Sequence, residues 1–166
     1  MRGTLAAGAP PPVVAAAATK AAGDSVYTAF ENRFRGSQDE VKERLAPYAE
    51  LFRGLAPVVD LGCGRGEFLE VLREQGIQAR GVESNAAAVL ECRGKGLEVS
   101  QGDLLALLGA QGATSLGGVF AAQVAEHLPP AALQSLLREA YRVLRPGGLL
   151  LLETVNPRSV VAFLEV

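Results

Sequence analysis

Val58-Val59-Asp60-Leu61-Gly62-Cys63-Gly64-Arg65-Gly66-Glu67-Phe68-Leu69 is the stretch that decides the fold of this 166-residue chain. Val58–Leu61 predicts a buried strand, Gly62 to Gly66 a tight turn, and Glu67 onward the first turn of a helix. A strand that hands a glycine turn to a helix N-terminus lets a ligand approach bare backbone at the edge of an α/β sheet. Alternating glycines take positive φ and carry no Cβ where a ligand would sit. The dinucleotide fingerprint G-x-G-x-x-G is not met. Position 67 is Glu, so the third glycine comes one place early.

Working outward from this turn, strands and helices alternate. On the N-terminal side, Ser37 and Glu40 form a capping-box signature. Val41, Leu45, Tyr48 and Phe52 then follow at helical spacing, and Gly54 and Pro57 end that helix. On the C-terminal side a helix over 67–75 stops at Gly76, and a second strand covers 77–83. A helix over 85–93 ends at Gly94, a short strand covers 97–100, and an apolar helical turn covers 104–108. A fourth strand over 118–123 precedes a helix opened by Pro129 and Pro130 and running to about Leu144. Pro146-Gly147-Gly148 reads as a turn before a fifth strand over 149–154. Such alternation implies an α/β fold with a mostly parallel sheet and flanking helices.

Composition sets the limits. The length fits one domain with one core. Charged residues make up 20% and the formal net charge is −2, which offers nothing for non-specific nucleic-acid binding. No apolar run is long enough to span a bilayer. Residues 1–24 are rich in Ala, Pro and Gly and predict a disordered tail, since they cannot bury enough surface to offset ordering entropy. Order is expected from about Val26, giving an N-terminal helical segment over 25–56 and a core over 57–166. Pro10-Pro11-Pro12 interrupts the alanine-rich start, which argues against a secretory signal. Cys63 and Cys92 are the only cysteines and do not form a disulfide framework, so a reducing cytoplasm is the expected setting.

With Asp60 closing the strand, D-L-G-C-G-x-G resembles motif I of the class I methyltransferases that use S-adenosylmethionine. Ala121-Ala122-Gln123-Val124-Ala125-Glu126-His127-Leu128, with its E-H-L triplet, resembles the end of the fourth strand in that family. Tyr141–Leu150 resembles its helix-to-strand corner. The resemblance implies a Rossmann-like core with S-adenosylmethionine as cofactor. It also implies two further strands after the fifth, the last antiparallel, which are missing here. Either the chain is a fragment of a longer protein, the favoured alternative, or a partner chain covers the open sheet edge.

Several residues carry the expected chemistry. Glu83 ends the second strand, where a carboxylate can accept both hydroxyls of a ribose. The resemblance implies that role, with Ser84 beside it. Asp103 and Leu104 stand where the family holds the adenine. Asp103 can also cap the next helix, and one side chain could do both. Asp60 has two open roles: contacts to the amino-acid end of the cofactor, or fixing the turn. Gly62 and Gly64 must stay bare. Cys63 reads as a small turn residue that borders the cofactor. Gln123 lies where the strand mouth opens towards cofactor and acceptor. His127, the only histidine, reads either as a general base or, with Glu126, as a residue that caps a helix or holds a loop. No cluster has metal-ligand spacing.

Ala29-Phe30-Glu31-Asn32-Arg33-Phe34-Arg35-Gly36-Ser37 places two arginines around an aromatic, which suits an anionic or carboxylate ligand. Together with Leu61–Glu67 and Leu152–Pro157, this segment resembles the methyltransferase domains of bacterial surface-polysaccharide enzymes, including O-antigen chain-terminating ones. The expected activity is methyl transfer to a hydroxyl, phosphate or nitrogen acceptor, small molecule or glycan. Arg33 and Arg35 would be acceptor contacts, with Arg35 also reaching the cofactor. A catalytically silent binding module and a nicotinamide-dependent oxidoreductase are the alternatives.

Overall fold

The computed structural model describes residues 36–154. The expected tail over 1–24, the start of order near Val26, Arg33 and Arg35, and Asn156-Pro157 lie outside the described residues.

Helix α1 (Gln38–Glu50) begins at Ser37 with both halves of the capping box made. The Ser37 hydroxyl accepts from the Glu40 backbone, and Glu40 accepts from the Ser37 N–H at 2.8 Å. The other elements are β1 (Val58–Leu61), α2 (Glu67–Glu74), β2 (Ala79–Glu83), α3 (Ala86–Gly94), β3 (Val99–Gln101), α4 (Leu104–Gly109), β4 (Leu116–Ala122), a single 3₁₀ turn (Ala125–His127), α5 (Pro130–Val143) and β5 (Leu144–Glu153).

The five strands form one sheet in the order β3-β2-β1-β4-β5, and every pairing is parallel. All four residues of β1 are buried, as a central parallel strand covered on both faces requires. On one face α1 and α2 enclose Val41, Leu45, Phe52, Phe68, Leu72 and Phe120. The Phe68 and Phe120 ring centroids stand 3.8 Å apart and Phe52 packs edge-on against both. Each such ring contributes about 1.5–3 kcal/mol by burial. On the other face α4 and α5 cover Val59, Leu61, Val119, Leu136 and Val143. A third cluster joins α2, α3 and β3 around Cys63, Leu69, Val89 and Cys92.

The chain reverses its strand order between β1 and β4: connections run outward to β2 and β3, then back across the sheet. A crevice opens at the carboxyl ends of strands at such a switch point, and ligands bind there in open α/β sheets.

Two local expectations are corrected. The Pro146-Gly147-Gly148 turn lies inside β5, which starts at Leu144 rather than Leu149. Leu144 pairs with Leu116 and Leu149 with Gly118, so five steps on β5 face two on β4 across an irregularity in register. Arg145 anchors this bulge by donating to the carbonyls of Ala56 and Gly54, each at 2.9 Å. α3 stops at Gly94 as expected, and the chain turns at Gly96, where φ is +73°. β4 stops at Ala122, and Gln123 leaves the strand with a left-handed φ of +55°.

Candidate functional site

A cavity of about 340 Å³ occupies the switch point. Gly62, Gly64 and Arg65 from the turn after β1, Glu83, Ser84 and Asn85 after β2, Leu104, and Gln123, Val124, His127 and Leu128 after β4 all line it. Residues from four separate connections therefore meet at one edge of the sheet.

The glycine turn forms its floor. Gly62 has φ +70° and Gly64 φ +53°, the left-handed region that favours glycine. A Cβ at Gly62 would stand 2.8 Å from Val124 Cγ2, so only glycine lets the β1 and β4 ends approach each other. The N–H groups of Gly62 and Cys63 both donate to the Val82 carbonyl, at 2.8 and 3.1 Å, which ties the turn to β2.

Glu83 stands directly across. Its Oε2 accepts from the Gly64 N–H at 3.0 Å, and its Oε1 accepts from the Asn85 N–H at 2.8 Å and the Ser84 hydroxyl at 3.3 Å. These donors hold the carboxylate rigidly over the turn. Asn85 also caps α3, accepting from the Ala87 and Ala88 N–H groups.

Beneath the floor lies a charged lattice that the sequence did not announce. Arg65 and Glu67 are both buried and form an ion pair of 2.6 Å. Lys95 donates to the Arg65 carbonyl at 2.8 Å and pairs with Glu70 and Glu91, and Lys42 from α1 reaches Glu70 at 3.3 Å. The hydrogen bond with Glu70 holds the Lys42 ammonium above its usual range. The only sequence signal was Arg65 and Glu67 two residues apart in the turn.

Other predicted residues divide. Leu104 and Gln123 line the cavity, and so does His127, which is exposed on the 3₁₀ turn. Asp103 is exposed and caps α4 by accepting from the Ala106 N–H at 2.8 Å; it is not among the lining residues. Asp60 is buried beneath the turn, where it borders a smaller void with Glu67, Phe68 and Phe120. Cys63 is also buried under the floor. Its thiol is pushed well above the ordinary range by the hydrogen bond shared with Cys92 and then by burial. The Cys92 thiol in turn donates to the Gly64 carbonyl at 3.3 Å. Neither Glu126 nor His127 caps α5, whose N-cap is Pro129; Glu126 instead accepts from the Thr154 hydroxyl at 2.9 Å. No group of three or more His, Cys, Asp or Glu able to hold a metal exists among the described residues. No described helix is long and apolar enough to cross a membrane.

This donor set fits S-adenosylmethionine. The bare glycine floor leaves room for its methionyl end, the fixed Glu83 carboxylate suits ribose hydroxyls, and Leu104 and Ala88 offer an apolar wall for an adenine ring.

Comparison with known proteins agrees. A crystal structure of a SAM-dependent methyltransferase from Archaeoglobus fulgidus superposes with a TM-score of 0.80 at 37% identity, covering 84% of this chain and 62% of that one. A ubiquinone biosynthesis O-methyltransferase of Pseudomonas aeruginosa is 30% identical over 112 residues, covering 64% of this chain and 47% of that protein. The equivalent from Xanthomonas oryzae pv. oryzae is 34% identical over 113 residues, covering 65% and 46%. The chain thus spans about half the length of these relatives. Its Rossmann-like fold is that of the class I S-adenosylmethionine-dependent methyltransferases. The family model described as "Methionine biosynthesis protein MetW" matches residues 43–145, well over half of the chain, and the protein belongs to that family.

Proposed function

We propose that this protein is an S-adenosylmethionine-dependent methyltransferase acting on an oxygen or nitrogen acceptor. The observation that carries this is the Glu83 carboxylate, held by three donors across the Gly62–Gly64 turn at the switch point of a parallel sheet. The bound donor supplies a methyl group made electrophilic by its sulfonium. The chain then has to bind, orient and exclude water, and much of the barrier reduction comes from that alignment.

In this reading Glu83 accepts the ribose hydroxyls, with Ser84 alongside. Leu104 packs on the adenine, and Asp103 faces its amino group while capping α4. Gly62 and Gly64 give the methionyl end access to backbone, and Asp60 and Cys63 support them from below. Arg35 is assigned to the carboxylate of that end on its charge alone. Gln123 and His127 face the acceptor, with His127 as the candidate base near neutral pH. Arg33 and Arg35 draw in an anionic acceptor. The resemblance of the Ala29–Ser37 segment to surface-polysaccharide enzymes supports a glycan acceptor. The O-methyltransferase relatives support a small-molecule hydroxyl. A cytoplasmic setting suits either. The β5 edge of the described sheet is unpaired, and a further segment of chain or a partner would cover it.

Calorimetric titration with S-adenosylhomocysteine, beside a Gly64→Arg variant and an NADH control, tests the proposal. Saturable binding that the variant loses, with no response to NADH, is expected. A folded protein that binds NADH, or that binds neither ligand, overturns it.

A further inference from the structure

Lys95 follows α3 as its C-cap residue and does not line the cavity. Its ammonium nevertheless reaches beneath the glycine turn. Nζ donates to the Arg65 carbonyl at 2.8 Å and to Gln38 Oε1 at 3.1 Å, and stands 3.3 Å from Glu91 and 3.5 Å from Glu70. The shortest of these contacts goes to a neutral backbone oxygen, although two carboxylates are at hand.

The surroundings fix where this ammonium sits. Gln38 also donates to Glu91 at 2.8 Å, so side chains from α1, α2 and α3 enclose it. Charge balance does not explain the arrangement, because Glu70 already pairs with Lys42 at 3.3 Å. Lys42 has Glu74 as its other partner, and among the described residues no hydrogen bond joins it to the turn. The turn itself needs holding. Gly62, Gly64 and Gly66 all lie at positive φ, and glycine backbone has the most freedom to lose. Side chains after and within α3 pin two successive carbonyls of it: Cys92 holds that of Gly64 and Lys95 that of Arg65.

We infer that Lys95 is a positioning residue for the methyl donor. By holding the Arg65 peptide it sets the shape of the turn that receives the amino and carboxyl groups of the methionyl end. The inference rests on the methyltransferase reading. Lys95 touches no ligand and acts only through backbone, as a supporting shell does when it keeps a binding surface in one geometry. The nucleoside end depends on it less, because Glu83 keeps the Ser84 and Asn85 donors whatever the turn does.

Calorimetric titration with two ligands tests this. S-adenosylhomocysteine carries the amino and carboxyl groups of the methionyl end, and 5′-methylthioadenosine is a nucleoside thioether without them. Lys95→Met keeps an apolar stem and removes the ammonium. It should weaken S-adenosylhomocysteine binding about tenfold, the worth of one hydrogen bond to a charged group, and leave 5′-methylthioadenosine binding unchanged. Lys42→Met removes the same charge and a bond to the same Glu70 without touching the turn, and should leave both affinities unchanged. The inference is overturned if Lys95→Met binds S-adenosylhomocysteine as the unaltered chain does, or loses both ligands equally. It is also overturned if Lys42→Met shows the same selective loss. Should Lys95→Met not fold, Lys95→Gln is read by the same ratio of affinities. An unaltered chain that binds neither ligand removes the methyltransferase reading itself, and this inference with it.

Discussion

Gly64 and Glu83, 19 residues apart, are joined by a 3.0 Å hydrogen bond from the Gly64 N–H to Glu83 Oε2. One carboxylate thus fixes the glycine turn and presents acceptor oxygens to the same cavity. Replacing Glu83 with Ala should weaken S-adenosylhomocysteine binding about tenfold to a hundredfold, the range expected for losing charge-assisted hydrogen bonds. Calorimetry measures it. Circular dichroism should show the fold retained, because Glu83 sits at a strand end outside the apolar clusters.

Gly117 lies far from the cavity, at the amino-terminal end of β4. A Cβ there would stand 1.8 Å from the Leu55 carbonyl oxygen, and backbone cannot swing aside as a side chain would. Gly117→Ala should cost about 1–3 kcal/mol or more. Urea denaturation should show a lower midpoint with an unchanged slope.

Glu40 is held below its ordinary value of 4.5, first by the hydrogen bond from the Ser37 backbone and then by the Ser37 hydroxyl. A carboxyl with a depressed value in the folded state contributes stability that is present above the unfolded value. That contribution is lost as pH falls through the folded value. The melting temperature of the native chain should therefore exceed that of Glu40→Gln at neutral pH. The gap should close below about pH 4.5. A gap that stays constant down to pH 3 would contradict the capping account.

Cys63 and Cys92 are free and buried, and the Cys92 thiol donates to the Gly64 carbonyl. Their shared hydrogen bond pushes the Cys63 thiol up and the Cys92 thiol down, so burial is what withholds both sulfurs from reagent. An aromatic disulfide reagent at pH 8 should label neither cysteine in the folded protein and both in denaturant. Rapid labelling of the native chain would mean that the turn opens readily.

Local sequence determined much of this protein. The strand, glycine turn and helix over 58–69 were readable because close-range steric rules set them. The Ser37–Glu40 box was readable because its partners stand three residues apart. Alternating strands and helices sufficed for a parallel sheet, and the place of Glu83 at a strand end was readable from the apolar run before it. Tertiary structure decided the rest, because each remaining feature depends on partners distant in sequence. The Pro146–Gly148 stretch reads as a turn until pairing with β4, and the Arg145 bonds to the Gly54 and Ala56 carbonyls, hold it within β5. Gln123 reads as strand until the Glu153 carbonyl captures its N–H and turns the chain out. Arg65 and Glu67 carry no burial signal in the sequence, yet the fold encloses both and pairs them. Periodicity reports which face of an element is apolar. Only the assembled sheet reports which polar groups are enclosed and which of them are left without a partner.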